Sequence, residues 1–244
     1  MPKSISTWLA RIYLVALHLL VGLVLWKSDF LYKANAKLGL SGQLETSFED
    51  RSKRQANDYF DRVDGLLNRA PIVLLGDSTM ASLAPNAVWT GSVNLGLGGT
   101  TTLDLIRAIG RLPSLDKAAL VVLAVGINDL CLDQASRSEF ARRLRLLAPR
   151  LPATRPTYWT SILPTDPRAK HARCSVAADS IRNANLAISA ACSSMPRCTY
   201  VDIHPAFADA QGYLKQDLHD GDGIHLNRRG YALFTQQLMH KIKP

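Results

Sequence analysis

Five short apolar runs separated by helix-like segments set the strongest limit on what this sequence can fold into. They are IVLLG at 72–76, SVNLG at 92–96, ALVVLAVG at 119–126, TYWTSIL at 157–163 and TYVDIH at 199–204. Their Val, Ile and Leu residues do not alternate cleanly with polar ones, which is how strands covered on both faces of a parallel sheet read. Residues 102–111, 138–147 and 176–192 read as helices between the runs, and 229–241 closes the chain.

This order predicts an α/β fold: a three-layer α/β/α sandwich with a five-stranded parallel sheet of flavodoxin-like form. Ligands of such sheets bind beyond the carboxyl ends of the strands, and the unusual residues of this chain cluster there.

Ahead of the sheet region, residues 7–26 (TWLARIYLVALHLLVGLVLW) match the roughly 20 residues needed to cross a hydrocarbon core. Arg11 and His18 interrupt the segment. It reads as an N-terminal transmembrane helix acting as a signal anchor, with a cleaved signal peptide as the alternative. The nearest small-x-small site, Ala34-Asn35-Ala36, lies too far beyond Trp26 for typical cleavage. Lys3 and Arg11 before the span face Lys27, Lys33 and Lys37 after it, so flanking charge leaves the orientation open. The expected division is therefore 1–27 as anchor or signal peptide, 28–70 as a polar connector, and 71–244 as the main domain. Within the connector, 48–69 reads as a stalk helix with Phe60, Val63, Leu66 and Leu67 as its apolar stripe.

A net charge of +9 suits anionic surfaces. No nucleic-acid recognition motif accompanies it, and aromatic residues at 7% form no stacking platform, so nucleic acid is not expected as a partner. The Arg-rich stretch 137–155 reads as the solvated face of a helix, with a patch for anionic phospholipid or polyanionic glycan as the second reading. The four cysteines, 131, 174, 192 and 198, suit an oxidising compartment. Cys192–Cys198 as a local bridge and Cys131–Cys174 as a loop clamp are the expected pairs, against the alternative of reduced core cysteines.

Four strand-end segments could carry chemistry. Gly76-Asp77-Ser78-Thr79-Met80 puts a serine just after the first strand, where following backbone N–H groups favour developing negative charge; a plain turn or cap is the bland reading. Asn94-Leu95-Gly96-Leu97-Gly98-Gly99-Thr100-Thr101-Thr102 could offer an N–H to a substrate oxygen, or form a turn capped by Thr102. It lacks the Gly-x-x-x-x-Gly-Lys-Ser/Thr of a phosphate loop. Asn128, in Gly126-Ile127-Asn128-Asp129, could aim its NH2 at the same opening or hold a turn. The last cluster runs from Asp217 to Asn227. It lacks the oxygen ligands of a calcium loop, and His219 and His225 lack a helical zinc spacing. In its third reading Asp222 orients His225, which takes the serine proton.

Together and in this order, the four segments resemble the SGNH hydrolases, the GDSL-like esterase/lipase superfamily, over about residues 71–240. Ser78 matches the block I nucleophile, Gly99 the block II glycine, Asn128 the block III asparagine, and Asp222 with His225 the block V Asp-x-x-His. Gly98 stands where many relatives have serine. The resemblance implies a serine esterase with Ser78, Asp222 and His225 as catalytic residues and an oxyanion hole of Ser78, Gly99 and Asn128. It implies no cofactor and no metal.

Of the remaining polar residues, Asp77 reads as a turn former, His204 as a structural histidine and His171 as a surface group. His219 and Asp220 read as supporting groups, substrate contacts or loop polars. The expected partner is an ester-bearing small molecule, glycan or lipid. An envelope polysaccharide O-acyltransferase would use the same residues, whereas a noncatalytic carbohydrate- or lipid-binding module would be expected to lose some of them. The anchor and cysteines point to the inner membrane with the domain on its periplasmic side, or to secretion after cleavage.

Overall fold

The structure is a computed structural model that describes residues 4–27 and 72–243, with residues 58, 61, 62 and 64 between them. The chain divides into two compact units, Met1–Asp58 and Tyr59–Pro244. In the first unit, Ser4–Lys27 forms helix α1. Among the described residues no helix is long and apolar enough to cross a membrane, which corrects the expected transmembrane span. Arg11 and His18 interrupt the apolar sequence, and the His18 ring turns back onto the Leu14 carbonyl at 2.6 Å. The expected stalk helix over 48–69 lies outside the described residues apart from the positions named above, which are helical.

The second unit holds a five-stranded sheet in the order β2-β1-β3-β4-β5, every pair parallel. The strands are β1 (Ile72–Gly76), β2 (Ser92–Gly96), β3 (Leu120–Ala124), β4 (Thr157–Thr160) and β5 (Cys198–Val201). Because successive side chains of a strand point to opposite faces, β1 serves two cores. Val73 and Leu75 join Val121, Leu123 and Trp159 in one cluster, with Phe140, Leu144, Ile181 and Ile188 packed over them. Ile72 and Leu74 join Leu120 and Val122 in the other, beneath Phe207, Phe234 and Leu238. Residues apolar at every position follow from this double burial.

Helices cover both faces. After β1 come α2 (Ser78–Ala81) and α3 (Pro85–Val88), and after β2 come α4 (Thr102–Ala108) and α5 (Ser114–Lys117). The rest are α6 (Ile127–Cys131), α7 (Arg137–Leu147), α8 (Ala178–Ser193), α9 (His204–Phe207) and α10 (Arg228–Lys241). The cap of α4 is Thr101 rather than Thr102: its hydroxyl accepts the Asp104 N–H while the Asp104 carboxylate takes the Thr101 N–H.

Three strands stop earlier than their apolar runs: β3 at Ala124, β4 at Thr160 and β5 at Val201. Ser161 Oγ accepts the N–H groups of Ile203 at 2.9 Å and His204 at 2.8 Å. A side chain thus replaces the ladder where β4 and β5 part, and α9 begins at His204.

Disulfides join Cys131 to Cys174 and Cys192 to Cys198, the expected pairs. The Arg-rich stretch is not wholly a solvated face. The Arg143 side chain is only 10% exposed and pairs with Asp129, Asp133 and Glu139.

Candidate active site

The carboxyl ends of β1, β2 and β3 deliver three of the four expected segments to one edge of the sheet. At β1, Asp77 caps α2 by accepting the Thr79 N–H at 2.9 Å, which sets Ser78 at the first helical position, half-buried. Burial raises the Asp77 carboxyl from its ordinary 3.8 to about 6, with the Thr79 hydrogen bonds and the His225 charge acting against the rise. Asp77 is thus a turn former near enough to His225 to feel its charge.

The loop after β2 lies beside this turn. Leu97 donates its N–H to the Gly76 carbonyl at 2.9 Å, and a Cβ on Gly98 would stand 4.0 Å from the Ser78 Cβ. Gly99 follows with φ of +74°, left-handed backbone that glycine adopts without strain. Asn128, buried at the start of α6, donates one amide hydrogen to the Thr100 carbonyl at 3.0 Å. The NH2 carries a second hydrogen for another acceptor.

Asp129, the next residue, holds the same loop from behind. Its carboxylate accepts the Thr102 N–H at 2.8 Å and hydroxyl at 2.5 Å, and it pairs with Arg143 at 2.8 Å. Burial pushes its carboxyl above the usual range, and Thr102 and Arg143 act against that.

The fourth segment arrives on the loop between α9 and α10. His225 Nδ1 lies 2.6 Å from Asp222 Oδ2, while Asp222 Oδ1 accepts the N–H groups of Ile224 at 3.1 Å and His225 at 2.9 Å. Burial alone would raise the Asp222 carboxyl; hydrogen bonds from the His225 ring and from the two N–H groups outweigh it and hold the carboxyl below the usual range. An imidazole oriented in this way by a carboxylate can accept a proton from a hydroxyl. Asp222, not Asp220, is therefore the partner; Asp220 uses its N–H to bond the His225 carbonyl at 2.9 Å. The Tyr231 hydroxyl, in the first turns of α10, reaches the carbonyls of Ser78 at 3.4 Å and Thr79 at 3.2 Å, which ties the helix after the histidine loop to the serine turn.

The remaining histidines separate by burial. His204 bonds the Ile162 carbonyl at 3.0 Å and His171 is exposed, as expected of a structural and a surface residue. His219 is buried, not a surface polar. Its Nδ1 accepts the N–H groups of Gly221 at 3.0 Å and Gly223 at 3.3 Å, which places its proton on Nε2, 3.6 Å from Asp166 Oδ2. His219 and His225 therefore face different partners, and among the described residues no group of three or more His, Cys, Asp or Glu could hold a metal ion.

Several supports escaped the sequence reading: Asp129 with Arg143, Asp166 behind His219, and Arg173, whose Nε lies 3.9 Å from Asp222 Oδ2. The signal for Asp166 was its position in Leu163-Pro164-Thr165-Asp166, just past the fourth apolar run. Gly223 has φ of +73°, and a Cβ there would stand 2.1 Å from the Asp166 carbonyl, so only glycine fits between the two loops.

A parallel α/β/α sandwich with a serine and an asparagine at its strand ends, and an Asp–His pair on a loop whose following helix is bonded to the serine turn, is the arrangement of a serine ester hydrolase. The chain belongs to the GDSL-like lipase/acylhydrolase family, whose sequence profile matches residues 74–233.

Solved structures agree in fold. A protein from Streptococcus pneumonia, provisionally described as a platelet activating factor, superposes with a TM-score of 0.67 at 20% identity, covering 77% of this chain and 91% of its own. A GDSL-like lipase from Bacteroides thetaiotaomicron gives 0.59 at 18% identity, over 75% of this chain and 95% of its own. A carbohydrate esterase family 3 protein from Talaromyces cellulolyticus gives 0.55 at 16% identity, over 70% and 95%. No curated protein sequence matches the chain.

Proposed function

We propose that this enzyme hydrolyses a carboxylic ester of a small acyl group, acetyl above all, carried on a carbohydrate or lipid, through an acyl-enzyme on Ser78. His225 takes the Ser78 proton as Oγ attacks the carbonyl, and Asp222 holds the ring with its acceptor nitrogen toward the serine. The N–H groups of Ser78 and Gly99 and the free amide hydrogen of Asn128 receive the oxyanion. The departing alcohol collects the proton from His225; water, deprotonated by the same ring, then releases the acid and restores Ser78.

The observation that carries this reading is the Asp222–His225 pair at 2.6 Å on a loop whose following helix is bonded to the Ser78 turn through Tyr231. The Talaromyces cellulolyticus carbohydrate esterase supports a sugar-borne acyl group.

The test is hydrolysis of p-nitrophenyl acetate, butyrate and octanoate by the full chain and its Ser78→Ala variant, with fluorophosphonate labelling in parallel. Turnover and labelling that both vanish with Ser78 support the reading, and a profile favouring acetate supports the small acyl group. Equal turnover by the two proteins refutes it. Labelling without hydrolysis would move the reaction to acyl transfer onto a glycan hydroxyl.

We also propose that the enzyme works outside the cytoplasm. The two disulfides suit an oxidising compartment. Cell fractionation tests this: recovery in the periplasmic or secreted fraction supports the reading, and recovery in the cytosol refutes it.

A further inference from the structure

We infer that the exposed loop 170–173 recognises a negative charge on the substrate close to its scissile ester, with Arg173 and Lys170 as the recognising groups. The inference rests on the proposed esterase reading and names the chemistry of its substrate more closely.

Loop 164–174 is fixed against the Asp222–His225 loop along its length. Asp166 N–H bonds the Gly223 carbonyl at 2.7 Å, His171 N–H the Gly221 carbonyl at 3.3 Å, and Arg173 N–H the Asp222 carbonyl at 3.1 Å. At its far end Cys174 is bonded to Cys131, three residues beyond Asn128. The loop therefore runs along the histidine loop to the disulfide of the asparagine helix, and Arg173 lies beside Asp222.

It displays cations. Residues 167–176 contain Arg168, Lys170 and Arg173 and no acid. Arg168 is consumed by the fold: it pairs with Asp166 at 2.7 Å and Asp209 at 2.6 Å and lies over the Tyr213 ring. Lys170 is exposed and has no ion-pair partner among the described residues. Arg173 is 73% exposed, with its Nε 3.9 Å from Asp222 Oδ2, too far for a hydrogen bond. That carboxylate already holds the His225 ring and two N–H groups, so the guanidinium keeps its donors for another anion.

Exposed cations are ordinarily solvated and contribute little. Here position decides otherwise. Arg173 stands beside the site where the His225 imidazolium has to form, and like charge disfavours that ion unless an anion offsets it. On the facing loop Asp222 is already bonded to the His225 ring and Asp217 pairs with Arg229, which leaves exposed Asp220 against Lys170 and Arg173. A carboxylate or phosphate on the substrate would complete the balance, and the planar guanidinium fork suits either.

The test compares kcat/KM of the full chain on three aryl acetates: 4-acetoxybenzamide, which is neutral, 4-acetoxybenzoate and 4-acetoxyphenyl phosphate. At least one anionic ester is expected to exceed the neutral one by about tenfold, the effect of one charge-assisted hydrogen bond. This preference should fall with added salt, drop toward unity in Arg173→Gln and Lys170→Gln, and invert in Arg173→Glu. Whether benzoate or phosphate leads tells a carboxylate-bearing glycan from a phosphate-bearing lipid. A preference that is absent, or unaltered in the variants, overturns the inference. So does an equal loss on all three esters with a displaced limb of the pH profile, which would assign Arg173 to tuning the Asp222–His225 pair. Ser78→Ala separates the two levels: turnover that survives it refutes the esterase mechanism, whereas Ser78-dependent turnover without preference refutes only the anion site.

Discussion

Asp222 holds His225 twice, through its side-chain ring at 2.6 Å and through its backbone N–H at 2.9 Å, using a different carboxylate oxygen for each. One oxygen shapes the loop and the other orients the imidazole. Asp222→Asn keeps an acceptor for the loop but presents either an NH2 or an uncharged oxygen to the ring. The expected result is a folded protein whose kcat on p-nitrophenyl acetate is lower by about 10⁴. Near-normal kcat with an unaltered thermal melt would remove Asp222 from the mechanism.

Asn128 donates one amide hydrogen to the Thr100 carbonyl and, in the proposed mechanism, the other to the oxyanion. Asn128→Ala should lower kcat by about 10²–10³ with a smaller change in KM, since its second amide hydrogen acts on charge that develops in the transition state. A change confined to KM would mean that Asn128 only shapes the loop.

Arg143 is the cation that meets buried Asp129, and its side chain is itself nearly covered. Arg143→Ala leaves a buried carboxylate without its partner, which costs about 3–5 kcal/mol. Urea unfolding measures the loss. Arg142→Ala, one position away but exposed, should fall within about 0.5 kcal/mol of the parent, which makes the pair a test of burial rather than of charge.

The raised Asp77 carboxyl has a consequence for stability. Between its ordinary 3.8 and about 6 the folded protein binds the proton that the unfolded chain releases. Stability therefore falls as pH rises through that window, by on the order of 3 kcal/mol. Asp77→Asn retains a capping oxygen and abolishes the buried charge. It should melt higher than the parent at pH 8, with the gap closing by pH 4; a gap that does not vary with pH would contradict this assignment.

The Cys131–Cys174 bond closes a segment with a sequence separation of 43. Replacing both cysteines by serine should cost about 4 kcal/mol on the chain-entropy estimate. Because the bond also joins the Asn128 helix to the loop 164–174, activity should decline at temperatures below the global melt. Coincident loss of activity and structure would show that it acts on overall stability alone.

The sheet was legible because strands buried on both faces favour apolar residues at successive positions, as in Ile72–Gly76 and Leu120–Ala124, although the runs at 92–96, 157–163 and 199–204 mix in polar residues. Its details were less so. Nothing local marks Ser161 as the residue that ends β4, since its two hydrogen-bond donors come from Ile203 and His204. Ser78, Gly99 and Asn128 stood out because each sits in a short motif just past a strand, and Asp222 and His225 because they form an Asp-x-x-His motif. Arg143 did not, being one arginine among many on a helix whose buried side is fixed only by packing. The choice among the readings of His219 stayed open for a related reason: its partners are backbone N–H groups and an aspartate from another loop.

The hydrogen bonds that run from Asp166, His171 and Arg173 to residues 221–223 make loop 164–174 and the His225 loop parts of one mechanical piece. Anyone grafting a foreign loop between Pro164 and Cys174 to redirect specificity would be resetting the histidine as well. Variants of this enzyme would then alter what they accept and how fast they work together, and substitutions at exposed positions that make none of the three backbone contacts, such as Lys170, offer the narrower route to a new substrate.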